Sequence, residues 1–131
     1  IETNSTNEKP DILIVEDNPS NQALLKLLLS KYGANVTIAN DGLEGVECAT
    51  QNTYDIILMD MQMPRMNGYE ATRELRNQGM DLPIIAVTAH TIKGDREKCL
   101  EAGCDDYISK PIDRITLNEM LDQYLGRKVE Q

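Results

Sequence analysis

Residues 55–60 read Asp-Ile-Ile-Leu-Met-Asp (DIILMD), and the fold turns on how this stretch is read. Four apolar residues in succession, with no alternating polar partner, suit a strand buried on both faces. The run stops at an acid, Asp60. Working outward, most of the other strand candidates are also short, continuous and rich in Ile, Val or Leu. The full set is Asp11–Val15, Asn35–Ala39, Asp55–Met59, Pro83–Val87 and Asp106–Ser109. Pro83 is tolerable as the first residue of its strand.

Helical segments separate these runs. Asn18-Pro19 supplies an N-cap and a first-turn proline, and Gly33 closes the first helix. Its apolar residues Ala23, Leu24, Leu27 and Leu28 follow helical spacing. Asp41 with Glu44 three residues on resembles a capping box for the second helix. The third is expected from about Asn67 to Gln78, with Ala71, Thr72 and Leu75 facing inward; the fourth from about Thr91 to Ala102. In the fifth, Leu117, Met120, Leu121, Tyr124 and Leu125 form one apolar stripe. Strands alternating with helices predict an α/β domain. It has a single five-stranded parallel sheet with helices on both faces, in the flavodoxin-like order 2-1-3-4-5. Residues 1–10, IETNSTNEKP, read as a linker or flexible leader, 11–126 as the domain and 127–131 as a short tail.

The 131 residues suffice for one domain, and 40% apolar content for one core. With five Tyr and neither Trp nor Phe, that core must be aliphatic. A net charge of -9 argues against nucleic acid as a partner, since no excess of Lys or Arg remains to neutralise phosphates. No apolar run is long enough to cross a bilayer. The three cysteines, Cys48, Cys99 and Cys104, match no zinc spacing. They read as reduced packing thiols of a cytoplasmic protein.

In an open parallel sheet the carboxyl ends of the strands form the ligand crevice. Glu16 and Asp17 follow the first strand run, Asp60 the third, Thr88 the fourth and Lys110 the fifth. Adjacent acids repel each other unless a cation is near. One of them capping the first helix is the plainer reading, which Asn18 weakens by being able to cap. Three clustered carboxylates suit Mg²⁺, a hard cation that favours carboxylate and phosphate oxygens. A carboxylate beside Mg²⁺ is also a candidate nucleophile towards phosphorus. Thr88 can donate to a phosphoryl oxygen, and Lys110 binds phosphate as a point charge. Lys110-Pro111 is a candidate cis peptide, with the sequence leaving cis or trans open.

Together, EDNPSN, MDMQMPRMNGYE, VTAH and GCDDYISKPI, in this order and spacing, resemble a response-regulator receiver domain of two-component signalling. The resemblance spans about residues 11–126. It implies that Asp60 accepts a phosphoryl group from a histidine, and that Glu16, Asp17, Asp60 and the backbone carbonyl of Gln62 hold Mg²⁺. It further implies Thr88 and Lys110 as the hydroxyl and lysine of the phosphotransfer site, and Tyr107 as the switch aromatic. Gln62 and His90 fall where the family varies, beside the path of the attacking water, and are expected to set the phosphoryl lifetime. Any catalysis is confined to the domain's own phosphotransfer and dephosphorylation. The implied partner is a histidine kinase core or a histidine phosphotransfer domain, with the chain itself a monomer or weak dimer. The initial Ile and polar leader suggest a receiver excised from a hybrid sensor histidine kinase, with a free-standing single-domain regulator as the alternative. Two other classes fit less well. A phosphatase of the haloacid-dehalogenase type needs an acid two residues after the nucleophile, where Gln62 stands. A flavodoxin-like electron carrier needs a first loop that welcomes phosphate, and EDNPSN would repel it.

Overall fold

The computed structural model describes residues 9–89 and 93–126. Strands β1 (Asp11–Val15), β2 (Asn35–Ala39), β3 (Ile56–Asp60), β4 (Ile84–Thr88) and β5 (Asp106–Ser109) form one parallel sheet in the order β2-β1-β3-β4-β5. Between and after them run α1 (Pro19–Tyr32), α2 (Gly42–Gln51), α3 (Gly68–Asn77), α4 (Lys93–Ala102) and α5 (Arg114–Leu125). The predicted architecture is therefore present. β3 and β4 each begin and end one residue later than expected. Pro83 has no N–H to give a ladder, so it contributes only its carbonyl, which accepts from Ile57 N–H at 3.0 Å. Asp55 likewise stays outside its strand, and its side chain accepts the Asp11 N–H at 2.7 Å.

The sheet divides the core in two. Leu13, Val15, Ile57, Met59 and Ala86 face α2, α3 and α4 through Val46, Ala49, Ala71, Leu75 and Cys99. Ile12, Ile14, Leu58, Ile85 and Val87 face α1 and α5 through Leu25, Leu29, Leu117 and Leu121. Here one expectation is corrected: α1 buries Leu25 and Leu29, while Leu24 and Leu27 are 41% and 53% exposed. The segment LLKLLL carries leucine on several faces, so periodicity alone does not choose among stripes. Seating Leu25 and Leu29 on the sheet removes two full side chains from water, each worth roughly 1.5–3 kcal/mol. In α3 the expected inward residues Ala71, Thr72 and Leu75 are all buried.

Caps fix where the helices begin. Asn18 Oδ1 accepts from the backbone N–H groups of Ser20 and Asn21 at 2.9 and 3.1 Å, and Gly33 closes α1 at φ 102°. Asp41 caps α2 through Glu44 N–H at 2.9 Å. The return half of that expected capping box goes one residue further back, with Glu44 Oε1 accepting from Asn40 N–H. Asn67 and Glu70 make a complete reciprocal box at the start of α3. α1, α2 and α3 therefore begin just beyond the carboxyl ends of the strands they follow.

Candidate functional site

At the carboxyl ends of β1 and β3, Glu16, Asp17 and Asp60 each place a carboxylate oxygen within 4.8 Å of the others. Asp60 is the last residue of β3 and pairs with Val87, so the ladder fixes its backbone. Its Oδ1 accepts from Gln62 N–H at 3.2 Å. Lys110 follows β5, and its backbone N–H donates to Thr88 O at 2.8 Å. That peptide bond to Pro111 is cis. From there the ammonium group reaches Asp60 Oδ2 and Glu16 Oε1, both at 3.5 Å. These distances are long for hydrogen bonds, so Lys110 acts here mainly by charge.

Glu16 is buried. Its backbone N–H donates to Ala39 O, its Oε2 accepts from Asn18 N–H at 3.0 Å, and Gln22 Nε2 donates to its carbonyl at 2.6 Å. Asn18 does the capping and Glu16 does not cap, so its other carboxylate oxygen is available. That oxygen, Oε1, is buried and has no hydrogen-bond partner, only the Lys110 ammonium 3.5 Å away. A buried carboxylate with an unsatisfied oxygen costs energy unless a cation completes it. Three carboxylates offering hard oxygens within 4.8 Å of one another fit Mg²⁺, and Glu16, Asp17 and Asp60 would hold it. Burial also pushes the Asp60 carboxyl up to about 6; the Gln62 N–H and Lys110 pull against that rise, and Glu16 adds to it. A cation would return it to the charged, nucleophilic form.

Thr88 is buried at the end of β4, one strand from Asp60. It pairs with Ser109, and Ala86 pairs with Tyr107. Side chains alternate along a strand. Thr88 therefore shares a sheet face with Ala86 and Tyr107, the face covered by α4, and Tyr107 is half-buried there. Gln62 is exposed beside Asp60, while His90 lies outside the described residues, as do 1–8, 91–92 and 127–131.

Several contributors were not legible in the sequence. Gln22 ties the first loop to Glu16 and to Asn40. Arg65, in a left-handed conformation at φ 67°, donates from Nε to Asp41 Oδ2 at 2.7 Å and so fastens the loop after Asp60 to the start of α2. Gly68 lets α3 begin against the Asp60 backbone: a Cβ there would lie 2.7 Å from Met61 Cα. Cys48, Cys99 and Cys104 form no disulfide; burial pushes the Cys104 thiol up to about 11, and burial with Glu44 and Glu47 raises Cys48. Such thiols pack rather than react.

A buried Asp at a strand end, two further acids beside it and a lysine, at one edge of a 2-1-3-4-5 sheet, define an α/β domain of the receiver class. The response regulator receiver domain family matches residues 12–122, and the chain belongs to that family. It is thus a receiver of two-component signalling. Among curated relatives, hybrid signal transduction histidine kinase I of Dictyostelium discoideum is 45% identical over 129 residues, covering 92% of this chain and 7% of its own length. The polar-differentiation response regulator DivK of Brucella anthropi is 39% identical over 117 residues, covering 88% of this chain and 95% of its own. The chain thus spans a small fraction of the kinase and nearly all of the regulator. Among solved structures, the receiver domain of sensor histidine kinase PA1611 from Pseudomonas aeruginosa has a TM-score of 0.85 at 45% identity. It covers 91% of this chain and 99% of its own, and holds a magnesium ion in its active-site cleft. The Saccharomyces cerevisiae Ssk1 receiver, crystallised with the histidine phosphotransfer protein Ypd1, has a TM-score of 0.83 at 29% identity over 93% of this chain and 94% of its own.

Proposed function

We propose that Asp60 is the phosphoacceptor of a phosphorelay and takes its phosphoryl group from a phospho-histidine. One observation carries this: the Asp60 carboxylate stands buried at a strand end with two acids within 4.8 Å and Lys110 at 3.5 Å. Glu16, Asp17, Asp60 and the Gln62 carbonyl would hold Mg²⁺, which when bound neutralises charge on the phosphoryl oxygens. An Asp60 oxygen attacks phosphorus in line. The phosphorus–nitrogen bond breaks, the phosphorus–oxygen bond forms, and the imidazole leaves as a neutral ring, keeping the proton already on its other nitrogen. Lys110 neutralises charge spreading over the equatorial oxygens, which is the principal catalytic need of a loose transition state. Later attack by water restores the carboxylate and releases phosphate, at a rate that Gln62 and His90 tune.

The product places added negative charge within reach of the neighbouring strand. Thr88 moves to donate to it, and Tyr107, on the same face of the sheet, turns into the space left beside Ala86. The surface of α4, β5 and α5 then changes, as expected of a bistable element biased by a local charge.

The donor docks beside the acids. A cleft of about 80 Å³ is lined by Glu16, Leu24, Leu25, Lys110, Pro111 and Ile112, and Leu24 and Leu27 on the adjacent α1 are exposed. This suits an amphipathic helix carrying the phospho-histidine, in a kinase core or a phosphotransfer domain. We read the chain as a receiver of a hybrid sensor kinase in a reducing, cytoplasmic setting. The Dictyostelium relative and the three cysteines outside any disulfide support this, and DivK keeps the single-domain alternative open. The test is transfer from a phosphorylated histidine phosphotransfer protein with and without Mg²⁺. Mg²⁺-dependent, hydroxylamine-labile label on the wild type but not on Asp60→Asn is expected; equal label on both chains would remove the assignment.

A further inference from the structure

We propose that Arg96 on α4 is a positioning residue that holds Tyr107 in its resting place, so that Arg96 sets how far the switch lies towards its signalling state before any phosphoryl group arrives. This rests on the reading of Tyr107 as the switch aromatic. The Arg96 guanidinium carbon lies 5.8 Å from the centroid of the Tyr107 ring. That is within cation–π range, where the ring's negative face attracts the charge. Tyr107 is half-buried and Arg96 exposed, so the contact closes over the ring from the solvent side.

Its position gives the contact its consequence. Tyr107 pairs with Ala86, two residues before Thr88 on the same face of β4. Ala86 is small, and on the reading above a move of Thr88 opens room for the ring on that side. A ring that turns towards Thr88 leaves Arg96. The cation therefore favours one of the two ring positions and opposes the other, which is what a ligand must do to shift an equilibrium. The described side chains of α4 bury only Cys99 and Ala102, and another of its cations, Lys98, sits 5.2 Å from the Tyr69 ring of α3. Arg96 and Lys98 thus bracket α4 between aromatic rings on β5 and α3. Loss of the Arg96 bracket frees the side of α4 next to β5.

An exposed cation–π contact present in only one state shifts the balance roughly two- to five-fold when removed. The test uses the ring resonances of ¹³C-labelled Tyr107 in the wild type, Arg96→Met and Arg96→Lys, each metal-bound and then saturated with beryllofluoride as the phosphoryl mimic. Arg96→Met keeps the aliphatic stem and removes the charge; Arg96→Lys keeps a cation. Three results are expected. The mimic-saturated positions coincide in all three chains. The resting Arg96→Met resonance lies further towards that end by the stated population ratio, and Arg96→Lys moves it back. Movement of Tyr107 in the wild type with an identical resting position in Arg96→Met overturns the role of Arg96 and leaves the switch reading standing. No movement of Tyr107 in the wild type on saturation overturns both. A purely structural role would lower the melting temperature of Arg96→Met without moving the resting resonance.

Discussion

Lys110 reaches past β4 to place its ammonium nitrogen 3.5 Å from Asp60 Oδ2, joining the ends of two strands that do not pair with each other. The same nitrogen lies 3.5 Å from Glu16 Oε1. Two buried carboxylates thus share one cation in the metal-free protein. Lys110→Ala removes that shared charge. We expect a folded protein that still binds Mg²⁺ and whose output response to phosphorylation is blocked; a normal output response would remove Lys110 from the mechanism.

The Asp60 carboxyl gives a pH-dependent prediction. Its folded value, about 6, lies above the ordinary value near 3.9. Between about pH 4 and 6 the folded chain therefore holds a proton that the unfolded chain has released, and metal-free stability falls as pH rises through that window. Asp60→Asn keeps an acceptor for Gln62 N–H and removes the buried charge. It should be more stable than the metal-free wild type at pH 7, by about 1–3 kcal/mol, with a flatter profile from pH 4 to 6. Urea unfolding of both chains at several pH values decides this.

Mg²⁺ should raise the melting temperature of the wild type because it binds the folded acid cluster and not the unfolded chain. At a hundred times its dissociation constant the gain is about 2.7 kcal/mol. Asp17→Asn, a change at an exposed ligand, should weaken that shift while leaving the metal-free melting temperature nearly unchanged. An identical Mg²⁺ response in Asp17→Asn would exclude Asp17 from the metal site.

Asp41 anchors both the start of α2 and Arg65. The Glu44 N–H and the guanidinium hold its carboxyl below the usual range. Its contribution is therefore present above about pH 4 and lost as pH falls through its lower folded value. Asp41→Ala should cost about 1–2 kcal/mol at pH 7. Asp41→Asn keeps the cap and loses only the partly exposed ion pair, at a cost of about 0–1 kcal/mol. Converging acid-unfolding curves for the wild type and Asp41→Asn at low pH would support this sign.

Leu24 separates docking from chemistry. Leu24→Ala changes an exposed side chain, so stability should move by no more than about 0.5 kcal/mol. Phosphorylation by a small phosphodonor should be unchanged, while transfer from a phospho-histidine protein slows. Equal slowing with both donors would place Leu24 in the site rather than on a docking face.

The strands, their order and the acid–hydroxyl–lysine set were legible because each strand is an apolar run that ends in a polar residue. The buried face of α1 was not: LLKLLL offers leucine to more than one stripe, and only packing against Ile12, Ile14 and Leu58 selects Leu25 and Leu29. Nor was the Arg65–Asp41 link, which spans 24 residues between two loops and leaves no periodic signal. Gly68 could have been flagged as a glycine at a helix start, but the Asp60 backbone it accommodates appears only in three dimensions. Arg96 reads as one more surface charge until β5 brings Tyr107 beneath it.

Mass mapping after transfer from a phospho-histidine donor in Mg²⁺ tests the account most directly. One added phosphoryl group on the peptide containing Asp60, localised to that residue by fragmentation, is the predicted result. A phosphoryl group localised to any other residue, with Asp60 unmodified, would contradict it.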